Sequence, residues 1–323
     1  MMTIVVVIAV LLVIVTGVQL LKIAELRAKN KGENIYDVKE KDSKLQGILM
    51  LVFLFAYMAY FFWQLFAWGG RVLPEPASEH GVDYDFLMYL TLGIISLVFV
   101  LTHIALLWFS YKYAFSSKRK AYFFSHSNKL ELIWTVVPSL ALTVLILMGL
   151  NNWNSIMEPV PEETDHVLIE LTGQQFTWTA RYAGEDKKLG RSHVTLIEGA
   201  NATGVDMGDE FSKDDKLVKG EFHLPVNVPV QFVFRSIDII HSAYMPHFRA
   251  QMNCVPGVST QFNFVPTKTT EEMRKITKNK DFNYVLLCNK ICGAAHYNMQ
   301  MDIVVESQED YEKWLAEQKE FVE

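Results

Sequence analysis

Four long runs of apolar residues, all in the first half of the chain, constrain the fold more than any other feature of the sequence. They cover residues 3–21, 45–68, 86–115 and 130–150. Each run is long enough to cross the hydrocarbon core of a bilayer as a helix, and the third is long enough to do so at a tilt. Backbone polar groups must find partners within the segment inside lipid, so these runs predict four transmembrane helices.

The charges of the connecting segments predict how these helices are oriented. Residues 22–44 and 116–129 are rich in Lys and Arg, whereas residues 71–85 are mostly acidic. Basic loops stay in the cytoplasm, so we expect the N-terminus and everything after Trp153 to lie outside. The first charge of the chain is Lys22, after the first run, so an uncleaved helix is favoured over a cleaved signal peptide.

After Trp153 the sequence changes to short runs of alternating apolar and polar residues, which is the pattern of β-strands. The predicted strands are residues 167–171, 175–182, 228–235, 282–287 and 299–305. A small all-β sandwich or Greek-key barrel fits them. Residues 184–220 are expected to form a loop. Ser307 and Asp310 are expected to begin a surface helix that continues to residue 321.

The predicted organisation is a membrane-anchored α-helical part followed by an all-β domain. Residues 1–69 would form two helices with a basic cytoplasmic loop, 86–153 a transmembrane helical hairpin, 154–306 the extracytoplasmic β domain, and 307–323 the surface helix. The formal net charge of −6 argues against a protein that binds nucleic acid.

Two thiols, an imidazole and a thioether fall within the twelve positions from Cys288 to Met299. Soft sulfur ligands with imidazole select copper or zinc over hard cations. The thiols are four positions apart and the chain has three cysteines in all, so a second Cys pair that would complete a zinc ribbon is missing. A thioether favours copper. With His241 and His296, two bridging thiolates suit a two-copper cluster better than a single blue copper ion, which needs one Cys.

A disulfide between Cys288 and Cys292 is the main alternative, because the domain is predicted to lie in an oxidising compartment. That disulfide would leave both histidines and the methionine without a shared role, so metal binding is favoured. The remaining cysteine, Cys254, is expected to be a small buried apolar residue.

Segment 288–299 resembles the binuclear copper (CuA) loop of cytochrome c oxidase subunit II, whose pattern is Cys-x-Glu-x-Cys-Gly-x-x-His-x-x-Met. Segment 236–242 (Ser-Ile-Asp-Ile-Ile-His-Ser) resembles the family segment that carries the first His ligand. The similarity continues through Pro246, Phe248, Arg249, Pro256 and Gly257. The resemblance covers roughly residues 86–306. It implies a cupredoxin domain and a helical hairpin of the subunit II type, with the first two helices as additions.

The resemblance implies six copper ligands. They are the side chains of His241, Cys288, Cys292, His296 and Met299, and the backbone carbonyl of Lys290. The family has Glu at the position of Lys290, and that Glu side chain also binds magnesium against subunit I. A Lys ammonium offers no lone pair, so magnesium is not expected here.

Three further residues take roles from the resemblance. Residues 173–178 resemble the family's Gly-x-Gln-Trp-x-Trp, in which the first Trp receives electrons from cytochrome c. Phe176 takes that position and Trp178 the second, and the alternative for both is a place in the sandwich core. Glu131 begins a segment similar to Glu-x-x-Trp-Thr-x-x-Pro, which implies the mouth of a proton path into subunit I. Its alternative is a solvated helix flank.

The resemblance implies the electron-accepting subunit of a respiratory cytochrome c oxidase in a bacterial-type inner membrane, with the CuA domain on the periplasmic side. A c-type cytochrome would donate electrons, which would pass to haem in subunit I for O2 reduction coupled to proton pumping. The implied partners are subunit I, other oxidase subunits, the donor and membrane lipid, but no nucleic acid; membership of a respiratory supercomplex is left open. An acidic cluster either steers a basic donor or forms a solvated face. It comprises Asp206, Asp209, Glu210, Asp214 and Asp215.

Three rival functions are weighed against this one. A membrane-anchored copper chaperone or storage protein would use exposed thiols and would need neither the Glu131 signature nor the β-strands. Quinol oxidase subunits of the same fold lack the copper ligands, which are present here. A fused cytochrome c would need Cys-x-x-Cys-His, and that motif does not occur in the sequence.

Overall fold

The computed structural model describes residues 2–32 and 37–320 of the 323-residue chain. The chain divides into two compact units, Met1–Gly69 with Ile95–Ser127 and Gly70–Ile94 with Asn128–Glu323. The predicted basic loop and the predicted C-terminal helix each include residues outside the described part, namely 33–36 and 321–323.

The first half of the chain folds into long helices. They are α1 (Met2–Asn30), α2 (Glu40–Trp68), α3 (Glu79–Lys112) and α4 (Asn128–Met157). All four are long and apolar enough to cross a membrane, which confirms the four predicted helices. Most of them extend beyond the apolar runs, because polar flanking residues continue the helical hydrogen bonding. Pro138 lies inside α4 without ending it.

Within the first unit, aromatic side chains join α2 to the second half of α3. The ring of Tyr57 lies 5.8 Å from that of Phe99 and 5.6 Å from that of His103, measured between centroids. His103 donates from Nδ1 to the carbonyl oxygen of Phe99 at 2.8 Å. This polar side chain in a predicted span therefore has both a hydrogen-bond partner and aromatic neighbours.

The second unit contains two five-stranded sheets. Their strands are β1 (Val167–Gln174), β2 (Thr177–Tyr182), β3 (Lys216–Val218), β4 (Glu221–Pro225), β5 (Val230–Ser236), β6 (His241–Met245), β7 (Ala250–Cys254), β8 (Thr260–Phe264), β9 (Tyr284–Cys288) and β10 (Gln300–Glu306). The sheet orders are β3-β2-β1-β5-β8 and β4-β10-β9-β6-β7. β1 pairs with β5 and β4 with β10 in parallel, and the remaining pairs are antiparallel. This is the predicted cupredoxin-like sandwich.

The sandwich core follows the period of two that β-strands impose. Along β5, Phe232 and Phe234 are buried while the residues between them are partly exposed. Trp178 from β2 and Tyr284 from β9 are buried in the same cluster, together with Phe222 from β4. Large aromatic side chains from both sheets therefore fill the space between them.

The segment that precedes α3 is attached to the β domain. The N–H of Ala77 donates to the carbonyl oxygen of His247 at 2.8 Å. Arg249 donates to both carboxylate oxygens of Asp85 at 2.7 Å, and the two side chains are 5% and 12% exposed. A buried bidentate ion pair thus holds the beginning of α3 against the domain.

Five predicted strands correspond to β1, β2, β5, β9 and β10, whereas the other five strands were not predicted. β3 lies inside the predicted loop 184–220, and the helix α5 (Thr270–Thr277) was also missed. The missed strands are short or interrupted by polar residues, which hides their alternation. The helix α6 (Gln308–Ala316) begins after Ser307, whose hydroxyl accepts the N–H of Asp310 at 3.2 Å as predicted, but it ends well before residue 321.

Candidate metal centre

Two neighbouring strands of one sheet bring the predicted ligands together. His241 is the first residue of β6, and Cys288 is the last residue of β9. Ala243 of β6 pairs with Cys288, so His241 lies two residues from it along the adjacent strand. The loop between β9 and β10 then folds back over this position and carries Cys292, His296 and Met299.

The side chains of these five residues form one connected cluster. The sulfur of Cys288 lies 3.7 Å from Nδ1 of His241 and 3.8 Å from the sulfur of Cys292. The sulfur of Cys292 lies 3.5 Å from Nδ1 of His296 and 3.7 Å from the sulfur of Met299. The ligand atoms of His241, Cys288 and Cys292 all lie within 4.8 Å of one another. Two thiols, two imidazoles and a thioether are a soft donor set that fits copper.

The backbone carbonyl of Lys290 faces the same cluster, with its oxygen 3.2 Å from the sulfur of Cys288. The Lys290 side chain is exposed. The carbonyl oxygen of Lys290 is therefore close enough to the cluster to serve as a backbone ligand.

Four of the five residues of the cluster are buried, and His296 is partly exposed. His241 is 0% exposed, Cys292 and Met299 are each 1% exposed, and Cys288 is 9% exposed. Burial, and after it the neighbouring thiol of Cys288, raises the pKa of Cys292 to about 11. A bound cation is therefore needed to hold this sulfur as a thiolate at neutral pH. Both cysteines are free, and their sulfurs lie 3.8 Å apart, so no disulfide joins them in this structure.

A carboxylate orients the first histidine. Oδ1 of Asp238 accepts a hydrogen bond from Nε2 of His241 at 2.8 Å, and Oδ2 accepts from the N–H of Gln175 at 2.7 Å. Burial opposes ionisation of Asp238, but hydrogen bonds from Gln175, His241 and the N–H of Ile239 together hold its pKa below the ordinary value. Gln175 also donates from Nε2 to the carbonyl oxygen of Cys292 at 2.6 Å.

The two aromatic residues singled out in the sequence both lie beside the cluster. Trp178 is 1% exposed and its ring centroid lies 6.1 Å from that of His241, so it belongs to the core and also touches a predicted ligand. Phe176 is 36% exposed. A Cβ atom built on Gly293 would lie 2.9 Å from Cζ of Phe176, so the Phe176 ring rests directly on the copper loop.

Other predicted or overlooked residues have simpler surroundings. Glu131 lies exposed in the first turn of α4 and takes no part in the cluster. Cys254 is fully buried on β7, where it pairs with His241 across the sheet, in agreement with a buried apolar role. Asp238 and Gln175 were not predicted. Asp238 stands three residues before His241, a spacing that can signal a turn in which the two side chains meet.

Three of the five carboxylates in the acidic cluster of segment 184–220 form ion pairs, within the segment or with β2. Arg191 lies 3.3 Å from Asp206 and 3.1 Å from Asp209. Asp215 is 0% exposed and forms an ion pair with the buried Arg181. These three carboxylates therefore hold the segment in place, and their charge is largely compensated locally.

Two family models match the chain. The transmembrane domain of cytochrome C oxidase subunit II matches residues 68–151, and the periplasmic domain of the same subunit matches residues 167–308. The alternative cytochrome c oxidase subunit 2 of Bradyrhizobium diazoefficiens is 31% identical over 247 residues, which cover 76% of this chain and 84% of that protein. The chain belongs to the cytochrome c oxidase subunit II family.

The chain is also similar to a more distant relative and, over half of its length, to a solved structure. The cytochrome c oxidase subunit 2 of Cereibacter sphaeroides is 25% identical over 264 residues, which cover 77% of this chain and 80% of that protein. The crystal structure of the periplasmic domain of subunit II of cytochrome oxidase of Bradyrhizobium japonicum aligns at 22% identity and a TM-score of 0.32, over 49% of this chain and 95% of that one.

Membership of the family makes this subunit II a membrane-anchored component of an oxidoreductase complex, the haem-copper terminal oxidase, with its β domain on the extracytoplasmic side. Copper binding and electron transport are functions of the family. The matched regions begin at residue 68, so α1 and α2 precede them. These two helices are the additional ones predicted from the sequence.

Proposed function

We propose that this subunit II accepts electrons from a c-type cytochrome at a binuclear CuA centre and passes them to haem in subunit I. The observation that carries the proposal is one connected cluster of side chains, with the carbonyl oxygen of Lys290 beside it. The side chains are those of His241, Cys288, Cys292, His296 and Met299. When bound, the two copper ions supply a reversible one-electron redox site. Every ligand type needed for such a site lies within this cluster.

The protein residues have separate duties in this proposal. The sulfurs of Cys288 and Cys292 and the imidazoles of His241 and His296 would hold the two copper ions. The Met299 thioether and the Lys290 carbonyl would be weaker ligands whose identity tunes the potential. Asp238 keeps the proton of His241 on Nε2, and this leaves Nδ1 free to bind copper. Burial of the sulfurs excludes water, which keeps the surroundings similar in both redox states.

Electron input and output are assigned by position. Phe176 rests on the copper loop at the surface and is proposed as the contact for the donor, in place of the family's Trp. Trp178 packs against His241 and links the core to the centre. The acceptor haem and the site of O2 reduction belong to subunit I. A supercomplex with the donor is compatible with this arrangement.

The test is copper analysis and spectroscopy of the intact oxidase purified from membranes. We expect two copper ions in this subunit and a mixed-valence electron paramagnetic resonance signal shared by both. Cys288→Ser or Cys292→Ser should abolish this signal, because both sulfurs would be needed to hold the pair of ions. Met299→Leu should keep copper and shift the potential, since a thioether is a weak ligand. One copper ion, or the spectrum of a single blue copper, would contradict the proposal.

Glu131 is proposed as a proton-uptake residue at the cytoplasmic end of α4. Its place in the first turn of α4 and its similarity to the family segment support this role. Glu131→Gln should slow steady-state oxygen uptake while stopped-flow reduction of copper stays unchanged. Normal oxygen uptake in this variant would favour the solvated helix flank instead.

Lys290 is proposed to take over the charge role that magnesium has in the family. Its exposed ammonium can pair with a carboxylate of the partner subunit or with a haem propionate, and its repulsion of a divalent cation makes magnesium unfavourable there. Metal analysis of the complex, with a map of this interface, should show no magnesium beside Lys290. A bound magnesium ion there would refute this role, and a Lys290→Glu variant with unchanged activity and no gained metal would do the same.

A further inference from the structure

The connection between α3 and α4, residues 113–127, lies on the cytoplasmic side of the membrane; we call it the α3–α4 loop. The β domain that follows α4 is extracytoplasmic, and α4 is long and apolar enough to cross a bilayer. Because α3 ends at Lys112 and α4 begins at Asn128, both ends of the loop are attached to membrane-crossing helices. A chain of this length that is held at both ends reaches at most about 25 Å beyond them, so the loop stays near the bilayer surface.

The charged residues of the α3–α4 loop and its flanks are all basic. Residues 112–130 contain neither Asp nor Glu, and their basic residues are Lys112, Lys118, Arg119, Lys120 and Lys129. Lys118, Arg119 and Lys120 are exposed. The guanidinium of Arg119 donates to the carbonyl oxygens of Lys112 and Ala114 at 2.7 and 2.8 Å. These two hydrogen bonds keep the basic run next to the end of α3.

The carboxylates at the start of α2 do not cancel this positive charge. Glu40 accepts hydrogen bonds from the hydroxyls of Ser116 and Ser117 at 3.0 and 2.9 Å, and it lies 3.3 Å from the ammonium of Lys44. The other charged residues of segment 37–44 are two acidic and two basic ones, namely Asp37, Asp42, Lys39 and Lys41. The charges of segment 37–44 therefore balance, and the excess of positive charge in the α3–α4 loop remains.

The helix α2 holds the beginning of the loop against the end of α3. The N–H of Phe115 donates to Oγ of Ser43 at 2.8 Å. A Cβ atom built on Gly47 would lie 3.1 Å from Cα of Tyr111 and 3.5 Å from Cβ of Ala114, so the two helices approach closely at this glycine. Together with the two hydrogen bonds to Glu40, these contacts fix residues 111–117, and the basic run begins from a defined place.

Three consecutive aromatic residues follow the basic run. Tyr122, Phe123 and Phe124 are 87%, 88% and 60% exposed. Large apolar side chains that are exposed together mark an interaction surface. Aromatic side chains are favoured at the headgroup level of a bilayer, and basic side chains are attracted to anionic lipids there. Segment 118–124 carries both kinds of side chain, so its chemistry matches an anionic membrane surface.

From these observations we infer that residues 116–126 bind anionic phospholipid headgroups of the cytoplasmic leaflet. The ammonium groups of Lys118 and Lys120 pair with the phosphates, and the rings of residues 122–124 enter the headgroup layer. Each basic group near an anionic surface strengthens binding about fivefold. The additional helix α2 positions this surface through its contacts with residues 111–117. Lipid is favoured over a protein partner because both ends of the loop are attached at the bilayer, where headgroups are always within reach.

The experiment is photo-cross-linking of the intact oxidase in nanodiscs that contain phosphatidylcholine and phosphatidylglycerol. In each sample one of the two lipids carries a photoreactive group near its glycerol, and mass spectrometry of the digested subunit locates the labelled residues. We expect phosphatidylglycerol to label residues 116–126 about tenfold more than phosphatidylcholine does, or better. Added salt should lower this ratio, because it screens the charges of the lysines and the headgroups.

Two sets of variants separate the roles of charge and of the aromatic rings. Lys118→Gln together with Lys120→Gln should bring the labelling by the two lipids to within about threefold of each other. The matched control is Lys278→Gln with Lys280→Gln, which removes two exposed lysines at the same spacing from the extracytoplasmic domain and should leave the ratio unchanged. Phe123→Ser should reduce labelling by both lipids, whereas Phe123→Trp should keep it, because Trp is also favoured at the membrane interface.

Two results would overturn the inference. The first is equal labelling of the loop by the two lipids in the unaltered oxidase, since the loop would then touch only ordinary boundary lipid. The second is a loop that takes up no label in the intact oxidase, and labelling of the same loop in the isolated full-length subunit would then identify a partner subunit as its occupant. Labelling should be the same with and without copper, so neither result bears on the proposed copper centre.

Discussion

The Nε2 atom of His241 lies 2.8 Å from Oδ1 of Asp238, while Nδ1 of the same ring lies 3.7 Å from the sulfur of Cys288. An ionised carboxylate can only accept a hydrogen bond, so Nε2 carries the proton and the lone pair of Nδ1 faces the sulfur cluster. Asp238 thus selects the tautomer that can bind a metal, and it links this choice to the 175–176 turn through Gln175.

Asp238→Asn should weaken copper binding about 10- to 100-fold, the usual cost of losing a carboxylate behind a metal-binding histidine. It should also raise the reduction potential of the centre, because a negative charge that stabilises the oxidised form is removed. Redox titration of the copper absorbance and competition with a copper chelator measure the two effects. Asp281→Asn, at an exposed aspartate, is the control and should change neither. An unchanged potential in Asp238→Asn would show that the carboxylate acts on geometry alone.

The sequence predicted which side chains come together in the cluster better than it predicted their surroundings. Four residues of the cluster lie on one short loop, where their spacing alone keeps them close together: Cys288, Cys292, His296 and Met299. The types and order of these residues were therefore enough to suggest that they bind one metal site. His241 is 47 positions before Cys288, so no local spacing links it to this loop. The roles of Asp238 and Gln175 depend on contact between two loops that are distant in sequence. No local sequence pattern predicts that contact.

The sequence also predicted some elements of the fold better than others. Long apolar runs predicted the helices because a single property, hydropathy over about 20 residues, determines whether a segment spans a bilayer. Strands such as β6 carry polar residues at functional positions, including His241 and Ser242, and the alternation of apolar and polar residues disappears there. Segment 184–220 was expected to be a loop, but Arg181 and Arg191 form ion pairs that the sequence pattern did not predict.

Gly293→Ala should disturb the copper loop and slow reduction of the copper centre. Gly293 has a φ of +133°, and an added Cβ would lie 2.9 Å from both Nε2 of Gln175 and Cζ of Phe176. Backbone strain of about 1–3 kcal/mol adds to the displacement of these two side chains. Gly257→Ala is the matched control, because Gly257 also has a positive φ, +77°, but nothing lies within 4 Å of its added Cβ. Equal effects in both variants would mean that strain alone matters and that contact with Phe176 does not.

Asp85→Asn should destabilise the β domain by about 3 kcal/mol, since it leaves the buried guanidinium of Arg249 without a charged partner. Arg249→Lys should cost a similar amount, because an ammonium cannot form both hydrogen bonds of the bidentate pair. Thermal unfolding of the purified full-length chain measures the loss. The control is Glu271→Gln, which breaks an exposed pair with Lys275 and should change stability by less than about 1 kcal/mol. A stable Asp85→Asn protein would show that the beginning of α3 is held by its backbone hydrogen bonds instead.

Stability at acidic pH should depend on His247. Its ring packs edge-on against Phe282 and Tyr284, with centroids 5.1 and 5.5 Å away, and its buried Nδ1 has no hydrogen-bond partner among the described residues. Burial, and after it the charge of Arg249, lowers the pKa of His247 from 6.5 to about 4. The unfolded chain therefore takes up a proton at a pH where the folded chain does not.

The sign of the effect follows from this difference in protonation. Stability linked to His247 is complete above pH 6.5 and is lost as the pH falls towards about 4. His247→Phe should flatten this part of the profile and raise stability at neutral pH, because it removes an unpartnered buried nitrogen and keeps the aromatic packing. His247→Gln should flatten the profile without that gain. Both variants are compared with the unaltered chain by thermal unfolding without copper, so that metal release at low pH does not contribute. A profile as steep in both variants as in the unaltered chain would assign the acid sensitivity to other groups, His80 among them, whose pKa is also lowered by burial.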